Sequence, residues 1–79
     1  MADDTRELTF GEKACGVTFN PGGHPEVDAI KKSCAALVDQ LNDARNATES
    51  GDKKRMYSHA ITMIQDGQMW GVKAATWQY

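Results

Sequence analysis

The sequence predicts an all-α fold, a short N-terminal helix followed by an antiparallel two-helix hairpin, assembled as a compact homo-oligomer. Val27, Ile30, Cys34, Leu37, Leu41 and Ala44 recur at spacings of three and four, the signature of one helical face. Met56, Ala60, Met63, Gly67, Trp70, Ala74 and Trp77 repeat that signature further along. Between Ala44 and Met56 the residues are mostly polar, and Ser50, Gly51 and Asp52 mark a turn. Two helices cannot enclose a core of their own, so their remaining apolar surface needs another copy or a ligand to cover it.

In chain order, residues 1–8 carry no helix signal and read as a flexible lead-in. Thr9-Phe10-Gly11-Glu12 fits a capping box, in which the threonine hydroxyl takes an amide hydrogen and the glutamate reaches back. A short helix over residues 10–15 follows, with Gly16 as its stop. Val17-Thr18-Phe19 is too short for a strand in a chain with no partner strand, and Asn20-Pro21-Gly22-Gly23 enforces a turn. A helix over residues 25–46 starts at Pro25, whose missing amide hydrogen is not needed at the first helical position, and Glu26 and Asp28 suit the positive end of its dipole. The second long helix is expected over residues 53–78, with Asp52 as N-cap. Gly67 and Gly71 weaken it by about 1 kcal/mol each relative to alanine, so the helix kinks there or something approaches closely. Tyr57, Ile61, Ile64, Met69 and Val72 lie on faces adjoining its seam, which makes this helix apolar around much of its circumference. That excess predicts at least two interfaces between copies.

Seventy-nine residues make a single domain whose core supplies only about 3–5 kcal/mol unaided. The two cysteines, Cys15 and Cys34, form neither a disulfide framework nor a metal-ligand cluster, and no cofactor motif is present. No apolar run approaches the roughly 18–20 residues of a membrane span, and the acidic Met1-Ala2-Asp3-Asp4 is unlike a signal peptide. A soluble cytosolic protein without membrane association is the expectation. Nine basic against eleven acidic residues argue against a DNA or RNA backbone binder. The bases Lys31, Lys32, Lys53, Lys54, Arg55 and Lys73 nonetheless concentrate on the two long helices, leaving room for a local anion site.

Catalytic groups do not converge. His24 and His59 are far apart in sequence and pair with no nucleophile at a recognisable spacing, and Asp39 and Asp43 read as a solvated helix face, so an enzyme is not expected. Phe19 and Lys31 admit two readings. An aromatic on a turn before a helix and a lysine just inside it can stack a base and meet a phosphate; alternatively Phe19 folds back as a packing lid and Lys31 is solvated. Trp70 and Trp77 lie on the seam and read first as core, while Lys73 between them is placed for an anion held where chains meet.

The run Gly16-Val17-Thr18-Phe19-Asn20-Pro21-Gly22-Gly23, then Val27, Ile30 and Lys31, then Arg55, Ala60, Thr62 and Met69-Trp70, resembles the phage anti-CBASS cyclic-oligonucleotide sponges, which share a helical hairpin with the anti-Thoeris sponges. The resemblance covers residues 9–77. It implies a non-enzymatic immune-evasion protein of the infected bacterial cytoplasm that sequesters cyclic dinucleotides such as cGAMP, made by a bacterial CD-NTase, and so withholds them from the CBASS effector. It also implies a homohexamer with dinucleotides between interlocked protomers and, in some members, separate sites for cyclic trinucleotides. Carried over by motif, Phe19 would stack a base and Lys31 would bind phosphate, and Asn20 and Pro21 of the same turn are expected in the cyclic dinucleotide-binding site with them. Phenylalanine stands where some relatives carry tyrosine, and the turn is shorter than theirs. No motif places the trinucleotide site; Lys73, Thr76 and Trp77 are its candidates on chemistry alone. The rival expectation is a self-assembling or partner-docking hairpin with no small ligand.

Overall fold

The computed structural model describes residues 6–79, and the expectation for residues 1–5 lies outside them. Three helices follow in order, α1 (Phe10–Cys15), α2 (Pro25–Ala47) and α3 (Gly51–Ala75), with no strand among the described residues. Arg45 at the end of α2 meets Lys54 and Ser58, while a Cβ on Gly71 would stand 3.6 Å from Ile30, so α2 and α3 run antiparallel. The second hairpin helix starts at Gly51 rather than at 53 because Ser50, not Asp52, is the N-cap, its hydroxyl accepting from the Lys53 amide at 3.2 Å. It ends at Ala75 rather than 78, where the Thr76 hydroxyl turns back onto the Val72 and Lys73 carbonyls. The helix is continuous through Gly67 and Gly71.

The capping box of α1 is complete: Glu12 N–H donates to Thr9 Oγ1 and Thr9 N–H donates to Glu12 Oε1. Asp39, in the middle of α2, adds a second layer. It accepts from the Thr9 hydroxyl at 2.7 Å and from the Gly11 amide at 2.6 Å. The reading of Asp39 as a solvated acid is therefore corrected; it is a half-buried carboxylate that satisfies an orphan amide at the positive end of α1. Backbone approaches backbone here. A Cβ on Gly11 would fall 2.1 Å from the Ala35 carbonyl oxygen, so only glycine fits. Arg6 closes the outer side with hydrogen bonds of 2.8 and 3.0 Å to Glu12, and that guanidinium, helped by the Thr9 amide, pulls the Glu12 carboxyl from its ordinary 4.5 down to about 2. Gly16, at φ 60°, ends α1.

The core is Cys15 of α1, Ala35 and Val38 of α2 and Ile61 of α3, ringed by Ala14, Val17, Cys34, Leu41 and Ile64. Both cysteines are free, and burial pushes the Cys15 thiol up, which makes it a small hydrophobe. The seams differ from the sequence expectation. On α2 the buried line is Val27, Lys31, Ala35 and Val38, while Leu37 is exposed. On α3 the inward residues are Ile61, Ile64 and Gln68, whereas Met56, Met63 and Trp70, with Trp77 just past the helix end, stand out in solvent. The two α3 stripes have equal helical periodicity, so periodicity could not choose between them. Contacts with both other helices choose: Gln65 Nε2 donates to the Ala14 carbonyl of α1 at 2.9 Å and Gly71 sits against Ile30 of α2, which turns the Ile61 face inward. Arg45 locks the hairpin's turn end, reaching Ser58 at 2.9 Å and Asn42 at 2.6 Å under the Phe10 ring. The resulting slab measures 44 × 35 × 12 Å.

Gly11→Ala is expected to lower stability by about 1–3 kcal/mol in urea unfolding, the reverse of alanine's usual benefit in a helix, because the added methyl meets a carbonyl. The Glu12 contribution has a defined pH window. A carboxyl held below its unfolded value stabilises fully above about 4.5 and loses that contribution as pH falls towards about 2. The stability difference between the native chain and Glu12→Gln should therefore shrink across that window, and more weakly at high salt.

Candidate functional site

The loop between α1 and α2 is tied down at both ends. Phe19 N–H donates to the Gly16 carbonyl at 3.0 Å, and Gly23 N–H donates to the Asn20 carbonyl at 2.9 Å. The Asn20 side chain grips His24 twice, its Nδ2 donating to the His24 carbonyl at 2.9 Å and its Oδ1 accepting from the His24 amide at 3.2 Å. Gly22 and Gly23 take positive φ of 83° and 62°, which completes the reversal after Pro21. Asn20 and Pro21 thus shape the turn that presents Phe19.

Lys31 rises into this loop from the second turn of α2. Only 7% of it is exposed, and its Nζ donates to the carbonyls of Gly16, at 3.0 Å, and Phe19. The ammonium also lies 5.4 Å from the centre of the Phe19 ring. Lys31 is therefore not solvated, and Phe19, 71% exposed, is not a packing lid. The packing-lid alternative is corrected, and the pair is a buried cation that holds the turn while leaving an aromatic face open. An ammonium has three N–H donors, and the two carbonyls use two. His24 Nδ1, at the N-cap of α2, is buried with no hydrogen-bond partner among the described residues. Neither His24 nor the Gly16 carbonyl was legible as part of this junction; the only sequence cue is a histidine directly before a helix-starting proline.

A second constellation lies near the C-terminal end of α3. Trp70, Lys73, Ala74 and Trp77 line an open hollow of about 410 Å³. Lys73 Nζ stands 5.0 Å from the Trp70 ring and 5.6 Å from the Trp77 ring, and Trp77 meets Tyr79 edge to face at 5.3 Å. The expectation that Trp70 and Trp77 are core is corrected: they are 63% and 59% exposed, because the Ile61 face of α3 took the interior. Of the residues picked out there from sequence, Lys73 and Trp77 come together, but the Thr76 hydroxyl is turned onto backbone carbonyls. Trp70 was missed as a site residue, although its position three before Lys73 puts it on the same helical face.

Because Gly71 abuts Ile30, the hollow and the Phe19–Lys31 junction occupy the same end of the hairpin. Among the described residues no group of histidine, cysteine and carboxylate side chains could hold a metal, and no helix is long and apolar enough to cross a membrane. No curated protein and no solved structure matches the chain. A family model does: the family described as Acb2/Tad1, hairpin domain, matches residues 12–76, from within α1 through the Phe19 turn and both hairpin helices. On that match, with the three-helix architecture it spans, the chain belongs to the Acb2/Tad1 hairpin-domain family.

Proposed function

We propose that this chain captures cyclic dinucleotide second messengers without altering them, acting as a phage sponge in the cytoplasm of the infected bacterium and so keeping the CBASS effector inactive. The observation that carries the reading is the Phe19 face held open above the buried Lys31 ammonium. A purine stacks on such a face, a contact worth about 1–3 kcal/mol per base. The third N–H of Lys31 and the positive end of α2 favour a phosphate beside it. A cyclic dinucleotide carries two bases and two phosphates, so two copies of the Phe19–Lys31 pair across a twofold axis match its symmetry. Family membership supports both the ligand class and a homo-oligomeric, hexameric assembly. Capture needs no reacting groups, in keeping with a site made of an aromatic, a cation and a turn. The hollow at Lys73 offers a single cation and two indoles; cyclic trinucleotide capture there is a separate reading on which the present one does not depend.

Phe19→Ala is expected to weaken cyclic dinucleotide binding about tenfold to a hundredfold by calorimetry while the helical signal is unchanged. Ligand recovered after denaturing the complex should be chemically intact, and a cleaved product would overturn the reading. Thermal melting separates sponge from ligand-free scaffold: cyclic dinucleotide raises the midpoint of the former and leaves the latter unmoved. Lys31→Met keeps the buried stem but removes the donors, so it should loosen the Phe19 turn as well as binding, visible as faster amide exchange at Phe19 and His24.

A further inference from the structure

Met63 and Trp70 are 50% and 63% exposed on a helix that otherwise packs onto α2. With Met56 they recur every seven residues within α3, and Ala60 and Gly67 between them and Ala74 beyond Trp70 are all small. A sustained seven-residue repeat makes a seam that a second helix can follow. Gly67 sets this seam apart. It lies well inside the 25-residue α3, where glycine is the poorest helix former after proline, yet a Cβ there would meet nothing within 4 Å. Gly71 differs, since its Cβ would touch Ile30. Nothing within the protomer makes use of the missing side chain at Gly67.

We propose that this seam packs antiparallel against the same seam of a second copy, with Trp70 of each copy seated on Gly67 of the other. Antiparallel pairing of the α3 seams sets large positions against small ones, Trp70 on Gly67 and Met63 on Ala74. A parallel pair would stack Trp70 on Trp70 and Gly67 on Gly67, overfilling one layer and emptying the next. Charge then selects the register. Asp66 and Lys73 are both exposed, flank the seam on the side away from α2, and lie seven residues apart. In this register Asp66 of each copy stands beside Lys73 of the other, whereas a slip of one heptad brings Asp66 against Asp66. Asp66 has no ion-pair partner among the described residues. The arrangement covers the Trp70 indole and makes the hollow at Lys73 part of an interface.

This inference rests on the self-association proposed above but not on any ligand, and is tested on the full chain without nucleotide by analytical ultracentrifugation. Gly67→Leu fills the seat of the opposing Trp70 without touching its own hairpin, and should weaken association about tenfold or more with the helical signal retained. Asp66→Lys should weaken it as well, and Asp66→Lys combined with Lys73→Asp should restore it, a rescue that depends on register alone. An assembly indifferent to Gly67→Leu, or a double charge swap that fails to rescue, overturns the seam and leaves self-association standing. A native chain that stays monomeric at high micromolar concentration overturns both.

Discussion

A single carboxylate in the middle of α2 governs the arrangement of everything else. Asp39 accepts from Thr9 and from the Gly11 amide, and so decides where the six-residue α1 lies. A helix this short does not persist by itself, since nucleation costs more than one turn returns. Docked, it brings the Gly11 backbone flush against Ala35, buries Cys15 and offers the Ala14 carbonyl to Gln65. That last contact helps fix the rotation of α3. The same docking supplies the Gly16 carbonyl to Lys31, so the turn that presents Phe19 hangs on α1 as well.

Thinness is the second constraint. A slab 12 Å deep has few interior positions, and among the described residues Val38 is the one large side chain with no exposed surface. Hydrophobic burial at this scale is modest, and three polar fasteners supplement it, Asp39 at α1, Arg45 at the hairpin turn and Lys31 at the loop. Each spans two elements, and each replaces water contacts with partners that arrive only when both elements are in place. Burying the Lys31 charge is tolerable because two carbonyls and an aromatic face surround it.

Much of the local structure was legible from residue types. Thr9 and Glu12 announced the capping box, Gly16 the end of α1, and Pro25 the start of α2, because caps and turns depend on a few neighbouring atoms. The loop that sets Phe19 ahead of α2 was legible for the same reason. The inward face of α3 was not. Met56, Met63, Trp70 and Trp77 are larger and as regularly spaced as Tyr57, Ile61, Ile64 and Val72, and a helix apolar on two sides does not say which side its own chain will cover. Lys31 stood out as a candidate, but its partners are backbone carbonyls, which have no signature in a sequence of side chains.

The sequence by itself therefore determined three helices, the turn at Phe19-Asn20-Pro21 and a family resemblance borne out by the match over residues 12–76. Those rest on local sterics, capping and periodicity, which act within a few residues. Only the tertiary structure decided that Asp39 is a cap and not a solvated acid, that Lys31 is buried beneath an exposed Phe19, and that the Met/Trp stripe of α3 faces outward. All three depend on how the three helices pack on one another, contacts between residues distant in the chain that no local pattern encodes.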